Sequence, residues 1–314
     1  MEFRHLRYFV AVAEAGHMTR AAATLGIQQP PLSQQIRALE AQLGMALFHR
    51  HPKGVTLTDG GRVFLDEARR LLADMAAMQH RMERVARGQQ GVLSVAFTSS
   101  AAAHAFTPAA LRESRSRYPD IELQLSEHNA AEITEAVAAA RLHCGLLRVP
   151  VSRPDGVALE TLLHEPVVVA LPNDHALARR TTRGGKPAPL SLRDLEAERL
   201  ILVRRPGAPG LYANLLALCE EAGFVPLIAA EVERMMTNLN LVAAGAGISV
   251  VPASMTGAHP QAVAYHPFEE SVRLQAPLTL AYRAADCTGP TATFVSLLRK
   301  IARSTRFRAL ARRA

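Results

Sequence analysis

Met18-Thr19-Arg20-Ala21-Ala22-Ala23-Thr24-Leu25-Gly26-Ile27-Gln28-Gln29-Pro30-Pro31-Leu32-Ser33-Gln34-Gln35-Ile36-Arg37-Ala38-Leu39-Glu40-Ala41-Gln42-Leu43 is the stretch that decides how this 314-residue chain folds. A short alanine-rich helix stops at Gly26-Ile27, and a second helix runs from about Pro30 to Leu43. Gly26 supplies the φ > 0 turn and the alanines let the two helices approach, which is the helix-turn-helix pattern. Pro30 and Pro31 sit in the first turn, where a missing N–H costs least. Leu32, Ile36, Leu39 and Leu43 fall on one face, while Pro30, Ser33, Gln34 and Arg37 fall on the other. Such polar groups bond base edges or phosphates, and they lie near the helix N-terminus, which is the part of a recognition helix that enters the major groove. An ordinary amphipathic helix with a solvated face has the same pattern, so the flanks must decide.

Upstream, Leu6, Phe9, Val10 and Ala13 give one apolar stripe to a helix from about Phe3 to Ala15, ended by Gly16. Downstream, Leu47-Phe48-His49-Arg50 and Val55-Thr56-Leu57-Thr58 bracket His51-Pro52-Lys53-Gly54 and predict a β-hairpin, a wing. Arg50 and Lys53 near its tip suit phosphate contacts, which set register without reading sequence. Thr58 then caps a long helix to about Arg87 with Asp59 at its positive end. Within it Phe64, Ala68, Leu71, Met75, Met78, Met82 and Val85 recur at steps of 4 and 3, a heptad seam. No second heptad stretch follows, so the same helix of another subunit is the simplest partner, giving a dimer with two heads; packing against its own body is the alternative.

Gly88-Gln89-Gln90-Gly91 reads as a hinge. Beyond it strands and helices alternate: Val92 to Phe97, a helix to Tyr118, Ile121 to Glu127, a helix from Ala130 to Leu142, and Gly145 to Val149. The rhythm resumes with Pro166 to Leu171, Leu200 to Val203, a helix from Gly210 to Gly223, Leu227 to Glu231, a helix from Met235 to Ala244, and Ile248 to Val251. A strand from Pro277 to Tyr282 and a helix from about Pro290 return the chain to the first lobe. The expected fold is multidomain: an all-α winged helix-turn-helix over 1–58, a linker and dimerisation helix with hinge over 59–90, and a two-lobed α/β domain over 91–303 with a mostly parallel sheet. Lobe I takes about 91–162 and 268–303, lobe II about 163–267, and 304–314 is a basic tail.

Arg7-Tyr8-Phe9-Val10-Ala11-Val12-Ala13-Glu14, Thr19-Arg20-Ala21-Ala22, Leu25-Gly26-Ile27, Gln29 through Glu40, and Leu43-Gly44 together resemble the head of LysR-type transcriptional regulators. The likeness continues through Leu47-Phe48-His49-Arg50 and Leu57-Thr58, and more loosely along the whole chain. Arg20, Gln28 and Gln29 join the candidate DNA face. The resemblance implies a C-terminal domain similar to periplasmic binding proteins, an effector held between its lobes, and a dimer or tetramer on DNA. Pro206-Gly207-Ala208-Pro209-Gly210-Leu211-Tyr212 resembles the branch that senses aromatic catabolites and their ring-opened acids. Gln34 stands where a basic residue is common, His17 and Met18 where a small polar residue and Phe are common, and Gly60 where Ala is common.

In open α/β lobes ligands bind beyond the carboxyl ends of strands, near helix N-termini that favour anions. Strand ends and resemblance together nominate Ser99, Ser100, His128, Asn129, Arg148, Arg204 and Thr237 for the cleft, with Arg205 beside them. As a set they imply an organic or aromatic acid. Singly, Ser99 and Asn129 also read as helix caps, and the arginines as surface charges.

Composition agrees: 49% apolar and 20% charged residues are ordinary globular values. No apolar run approaches the roughly 18 residues that span a bilayer, and no secretion signal is legible, so no membrane role and a cytoplasmic location are expected. Cys144, Cys219 and Cys287 form no C-x-x-C pair and read as reduced, mostly buried thiols; neither cofactor nor metal is expected. The net charge of +8 is concentrated at the ends, with seven cations and no carboxylate over 299–314, which suits phosphate contacts or else a solvated or membrane-facing end. Gly245-Ala246-Gly247 precedes a strand and lacks the third glycine of a dinucleotide fingerprint, and no hydrolase, P-loop or zinc-protease motif occurs, so no catalysis is expected. An enzyme on the same α/β body and an architectural DNA-binding protein that senses nothing are the rival readings. RNA polymerase is an indirect partner of the leading one.

Overall fold

The computed structural model describes residues 1–148, 154–204 and 211–304. The end of the expected strand at Val149, Arg205, the stretch Pro206 to Gly210 and residues 305–314 of the basic tail lie outside the described residues. Two compact units divide the chain, Met1–Arg84 and Val85–Ala314.

In the first unit α1 (Phe3–Ala15), α2 (Met18–Leu25) and α3 (Gln29–Leu43) precede a hairpin of β1 (Phe48–His51) and β2 (Gly54–Leu57) and then α4 (Asp59–Ala86). The turn between α2 and α3 is made by Gly26 at φ +65°. Phe9, fully buried, is the hub: its ring lies 5.1 Å from Phe48 of the hairpin and 4.9 Å, edge-on, from Phe64 of α4. Leu6, Val12, Ala21, Ala22, Leu32, Ile36, Leu39 and Leu47 close around it. At the hairpin Gly54 has φ +136°, and a Cβ there would fall 2.3 Å from the Gly16 carbonyl oxygen, which accepts from the Val55 N–H at 3.0 Å. Only glycine lets the wing seat this closely on the end of α1.

Part of the heptad seam is corrected. Ala68 is fully buried and Phe64 packs edge-on against Phe9, both inside the head's own core. The first turns of α4 cover the head, so their apolar residues are consumed there. Leu71, Met78, Met82 and Val85 remain exposed and Met75 half-buried.

In the second unit β6 (Val157–Pro172) and β11 (Gln275–Arg283) run antiparallel through both lobes. Lobe I adds β3 (Gly91–Phe97), β4 (Ile121–Glu127) and β5 (Cys144–Leu147), with β4 and β5 parallel to β3, and α5 (Ser99–Ala103), α6 (Phe106–Arg117), α7 (Ala130–Ala138) and α10 (Gly289–Ala302). Lobe II adds β7 (Arg199–Val203), β8 (Leu227–Val232), β9 (Ser249–Pro252), β10 (Val263–Pro267), α8 (Leu211–Glu221) and α9 (Met235–Ala243). β9 and β10 pair antiparallel with the far half of β6, and β7 with β8 in parallel.

The expected mostly parallel sheet is therefore mixed. A chain that crosses to lobe II in one strand and returns in its neighbour must run in opposite directions in the two. Phe268, Val272, Leu274 and Ala276 pack in lobe II, and Leu163 in lobe I, so the return crossing falls near Ala276 and not at 268. The single helix expected up to Tyr118 is broken at His104, whose extended backbone (ψ 132°) precedes Pro108 in the first turn of a fresh helix. α7 stops at Ala138, short of the expected Leu142, because Ala140 takes φ +62° and the chain turns back.

Candidate functional site

The polar face of α3 stands clear of the head. Gln28, Gln29, Pro30, Gln34 and Arg37 are exposed, as is Arg20 on α2, while Ser33 is half-buried and its Oγ accepts from Gln29 Nε2 at 3.0 Å. The Arg37 and Lys53 side chains make no hydrogen bond or ion pair among the described residues. Leu32, Ile36 and Leu39, all fully buried, fix which face looks outward. Arg50 is less free: its Nη2 lies 3.5 Å from Glu40.

Glu40 is a residue that sequence reasoning missed. Its Oε1 accepts from the N–H groups of Leu47 (2.9 Å) and Phe48 (3.2 Å), so the C-terminal end of α3 holds the root of the wing. The signal was an acid one turn before the helix end, followed by a strand whose first amides need acceptors. His17, read as a departure from the family pattern, caps α2 by accepting from the Thr19 N–H at 3.2 Å through Nδ1.

In the second unit a cleft of about 770 Å³, its open mouth included, lies between the lobes. It is reached by the first residues of four helices: Ser99 and Ser100 of α5, Ala130 and Ala131 of α7, Leu211 and Tyr212 of α8, and Met235 of α9. Thr98 caps α5, accepting from Ala101 N at 3.3 Å, and Asn129 caps α7, accepting from Glu132 N at 2.9 Å. The N–H groups of Ser99, Ser100, Ala130 and Ala131 occupy first and second helical positions, which have no acceptor within the helix. Val203, Pro252, Ala276 and Pro277 add apolar wall. Tyr212 is fully buried beneath the cleft and its hydroxyl donates to Val250 O at 2.8 Å; burial holds its pKa well above the ordinary phenol value.

Of the seven nominated effector residues, Ser99, Ser100, His128, Asn129, Arg148 and Arg204 line this cleft. Thr237 does not: it is an exposed residue of α9, and the cleft instead receives the helix start itself, Arg234 and Met235. The first three residues of a helix point in different directions, so a helix-start rule alone chose the wrong one.

The arginines are also corrected as free cations. Arg148, 7% exposed, pairs with Glu165 and donates to the carbonyls of Ser100 and Ala276, each at 3.2 Å. Burial lowers its pKa and Glu165 raises it, with burial the larger effect, yet guanidinium stays charged in proteins. Glu165 in turn accepts from the Ser254 N–H (2.8 Å) and Oγ (3.0 Å), so one network joins lobe I to lobe II. Arg204 pairs with Glu231, and Arg234 lies 3.6 Å from Glu127 on the opposite rim. Asn129 Nδ2 also reaches Glu233 at 3.4 Å, so it bridges the mouth as well as capping α7.

The three cysteines are free thiols, Cys144 and Cys219 buried; burial pushes Cys144 up to about 12 and Cys219 to about 11. Among the described residues no cluster of three or more His, Cys, Asp or Glu is placed to hold a metal, and no helix is long and apolar enough to cross a membrane.

Residues 3–62 match the family model for bacterial regulatory helix-turn-helix proteins of the lysR family, and residues 86–303 match that of the LysR substrate binding domain. The HTH-type transcriptional regulator AlsR of Bacillus subtilis (strain 168) is 35% identical over 283 residues, covering 90% of this chain and 90% of that protein. The crystal structure of CbnR, a LysR family transcriptional regulator, has a TM-score of 0.81 at 33% identity, over 95% of this chain and 100% of that one. Full-length CbnR complexed with its target DNA gives 0.76 at 32% identity, over 96% and 100%. The chain belongs to the LysR family: it is a DNA-binding transcriptional regulator, with an N-terminal helix-turn-helix head followed by a two-lobed α/β effector-binding domain.

Proposed function

We propose that this regulator binds promoter duplexes in the cytoplasm as a dimer, or a pair of dimers, and that a small organic acid in the inter-lobe cleft sets how it occupies them. Ser33, Gln34 and Arg37 reach base edges; Arg20, Gln28, Gln29, Arg50 and Lys53 hold the backbone. Leu71, Met75, Met78, Met82 and Val85 form the dimer seam. Closure of the lobes on the acid changes how dimers pair, and through half-site spacing or bending it changes RNA polymerase recruitment.

The observation that carries the acidic effector is the convergence of four helix starts on one cleft, since their free N–H groups and dipoles favour an anion. With Arg148, Arg204 and Arg234 already paired to carboxylates, the acid group is held by the Ser99, Ser100, Ala130 and Ala131 amides and by hydroxyls. The apolar wall suits an aromatic ring or its ring-opened skeleton. Calorimetric titration of the full chain with benzoate and a six-carbon dicarboxylate, each against its amide, tests this. The acids should bind at least about tenfold tighter than the amides, the worth of one charge-assisted hydrogen bond. Equal binding of acid and amide, or acid binding that leaves promoter affinity unchanged, contradicts it.

A further inference from the structure

We infer that His49 and His51 are phosphate-contacting residues of the wing, so that the head takes up protons as it grips duplex DNA. This rests on the proposal that α3 and the hairpin form the DNA-facing surface.

Along β1 the pleat sends alternate residues to opposite faces. Phe48 is buried and Arg50 turns toward Glu40, so one face of the strand is occupied by the head itself. His49 and His51 take the other face, both exposed, opposite Thr56 and Gly54, neither of which titrates. The other histidines of Met1–Arg84 already have partners. His5 Nδ1 accepts from the Glu2 N–H at 3.0 Å and its Nε2 lies 2.8 Å from Gln35 Oε1. His17 caps α2, and His80 lies 3.9 Å from Glu83. His49 and His51 have no hydrogen bond or ion pair among the described residues.

The charged and titratable groups on the hairpin and at the adjoining ends of the elements packed against it are Lys53 at its own tip, Arg50 and Glu40 across from α3, His17 and Arg20 at the start of α2, Glu14 at the end of α1, and Asp59 and Arg62 at the start of α4, where Arg62 donates to the Leu57 carbonyl at 3.4 Å. Arg20 reaches the hairpin's flank, where a Cβ on Gly16 would lie 4.0 Å from its Nη2 and 3.8 Å from the Val55 carbonyl oxygen. The carboxylates of that set are all engaged: Glu40 by Arg50 and the amides of Leu47 and Phe48, Asp59 by Arg62, and Glu14 by Arg69 at 2.8 Å. Imidazoles protonated on contact with phosphate at 49 and 51 would therefore add positive charge on the strand that leads to Lys53, the nearby carboxylates being already paired. Imidazole is the side chain whose ordinary charge change falls between about pH 5 and 8, and phosphate oxygens nearby favour its charged form. Binding and protonation are then linked, and affinity rises as pH falls.

The full chain is titrated, by fluorescence anisotropy, into a labelled duplex from the region upstream of its own gene and into a random-sequence duplex, from about pH 8 to pH 6. Affinity for both should rise by about tenfold or more toward pH 6, and the salt slope should steepen by roughly 0.9 for each protonated contact. The double variant His49→Gln/His51→Gln, neutral at every pH, should lose most of the rise in affinity toward pH 6. His49→Lys/His51→Lys should hold the tighter binding throughout. A wild type with flat pH dependence, or a double glutamine variant that keeps all of it, overturns the inference while leaving the DNA-facing reading intact. A chain that binds neither duplex at any pH overturns both.

Discussion

Replacing Glu165 by leucine would leave the Arg148 guanidinium 7% exposed, with the Ser100 and Ala276 carbonyls as its remaining partners. Removing one member of a buried ion pair costs about 3–5 kcal/mol, because the charge left behind is neither hydrated nor compensated. The Ser254 N–H and hydroxyl lose their acceptor in the same step, which places the expected cost at the upper end. At about 2–4 °C per kcal/mol for a unit of this size, the melting transition of the effector-binding unit should fall by roughly 10 °C or more. Arg148→Met should cost less, since the Ser254 donors still serve the orphaned carboxylate. The double variant Arg148→Met/Glu165→Leu should recover most of the loss, because apolar replacements of buried pairs are often neutral. Urea and thermal unfolding of the four proteins, followed by circular dichroism without DNA, gives the coupling energy directly, expected at about 2 kcal/mol or more. Additive single variants that each cost under about 1 kcal/mol would refute the bridge as the structural tie between the lobes.

His104 offers a pH test in the same region. Its Nδ1 accepts from the Phe106 N–H at 3.1 Å, and burial lowers its pKa from 6.5 despite the opposing pull of Glu165, with Arg148 lowering it further. The folded chain thus favours the neutral ring and the unfolded chain binds the extra proton. His104 contributes full stability above about pH 6.5 and loses it as pH falls toward its depressed folded value. His104→Asn, which can still accept from Phe106, should flatten the decline in unfolding free energy on the acid side of pH 6.5; an unchanged slope rules the assignment out. On α4, Met78 is 50% exposed and Met82 57%, and burying such a side chain contributes about 1.5–3 kcal/mol. Met78→Glu/Met82→Glu should therefore drive the species seen in sedimentation equilibrium toward the single-chain mass, and a variant that stays dimeric would move the seam elsewhere.

The head was legible because its signals are local. Gly26, the prolines at 30 and 31, the periodicity of Leu32, Ile36 and Leu39, and the Pro-Lys-Gly turn each specify their own few residues, and the elements built from them appear within one or two positions of where they were expected. What escaped was set by distance. Nothing within α4 tells that Phe64 meets Phe9, more than fifty residues away, so a continuous heptad pattern was read as one surface when its first two members belong to another. The opening half of β6 has no period-two pattern, since its polar residues fall in the adjacent pairs Glu160-Thr161 and His164-Glu165, and it is stabilised by pairing with β11 more than a hundred residues later. Strand-end reasoning found most of the cleft, since helices follow strands there. It could not see that Glu165, Glu231 and Glu127 had already claimed the arginines.

The central claim is that the exposed polar face of α3 reads base edges, and Arg37 tests it most directly because nothing in the described residues holds its side chain. Competition binding of the full chain to its own upstream promoter fragment against random duplex, for wild type and Arg37→Ala, measures that claim as a ratio. Loss of a specific base contact worth about 1–3 kcal/mol should cut the preference by roughly tenfold or more while random-duplex affinity changes little. An identical ratio for both proteins would contradict it.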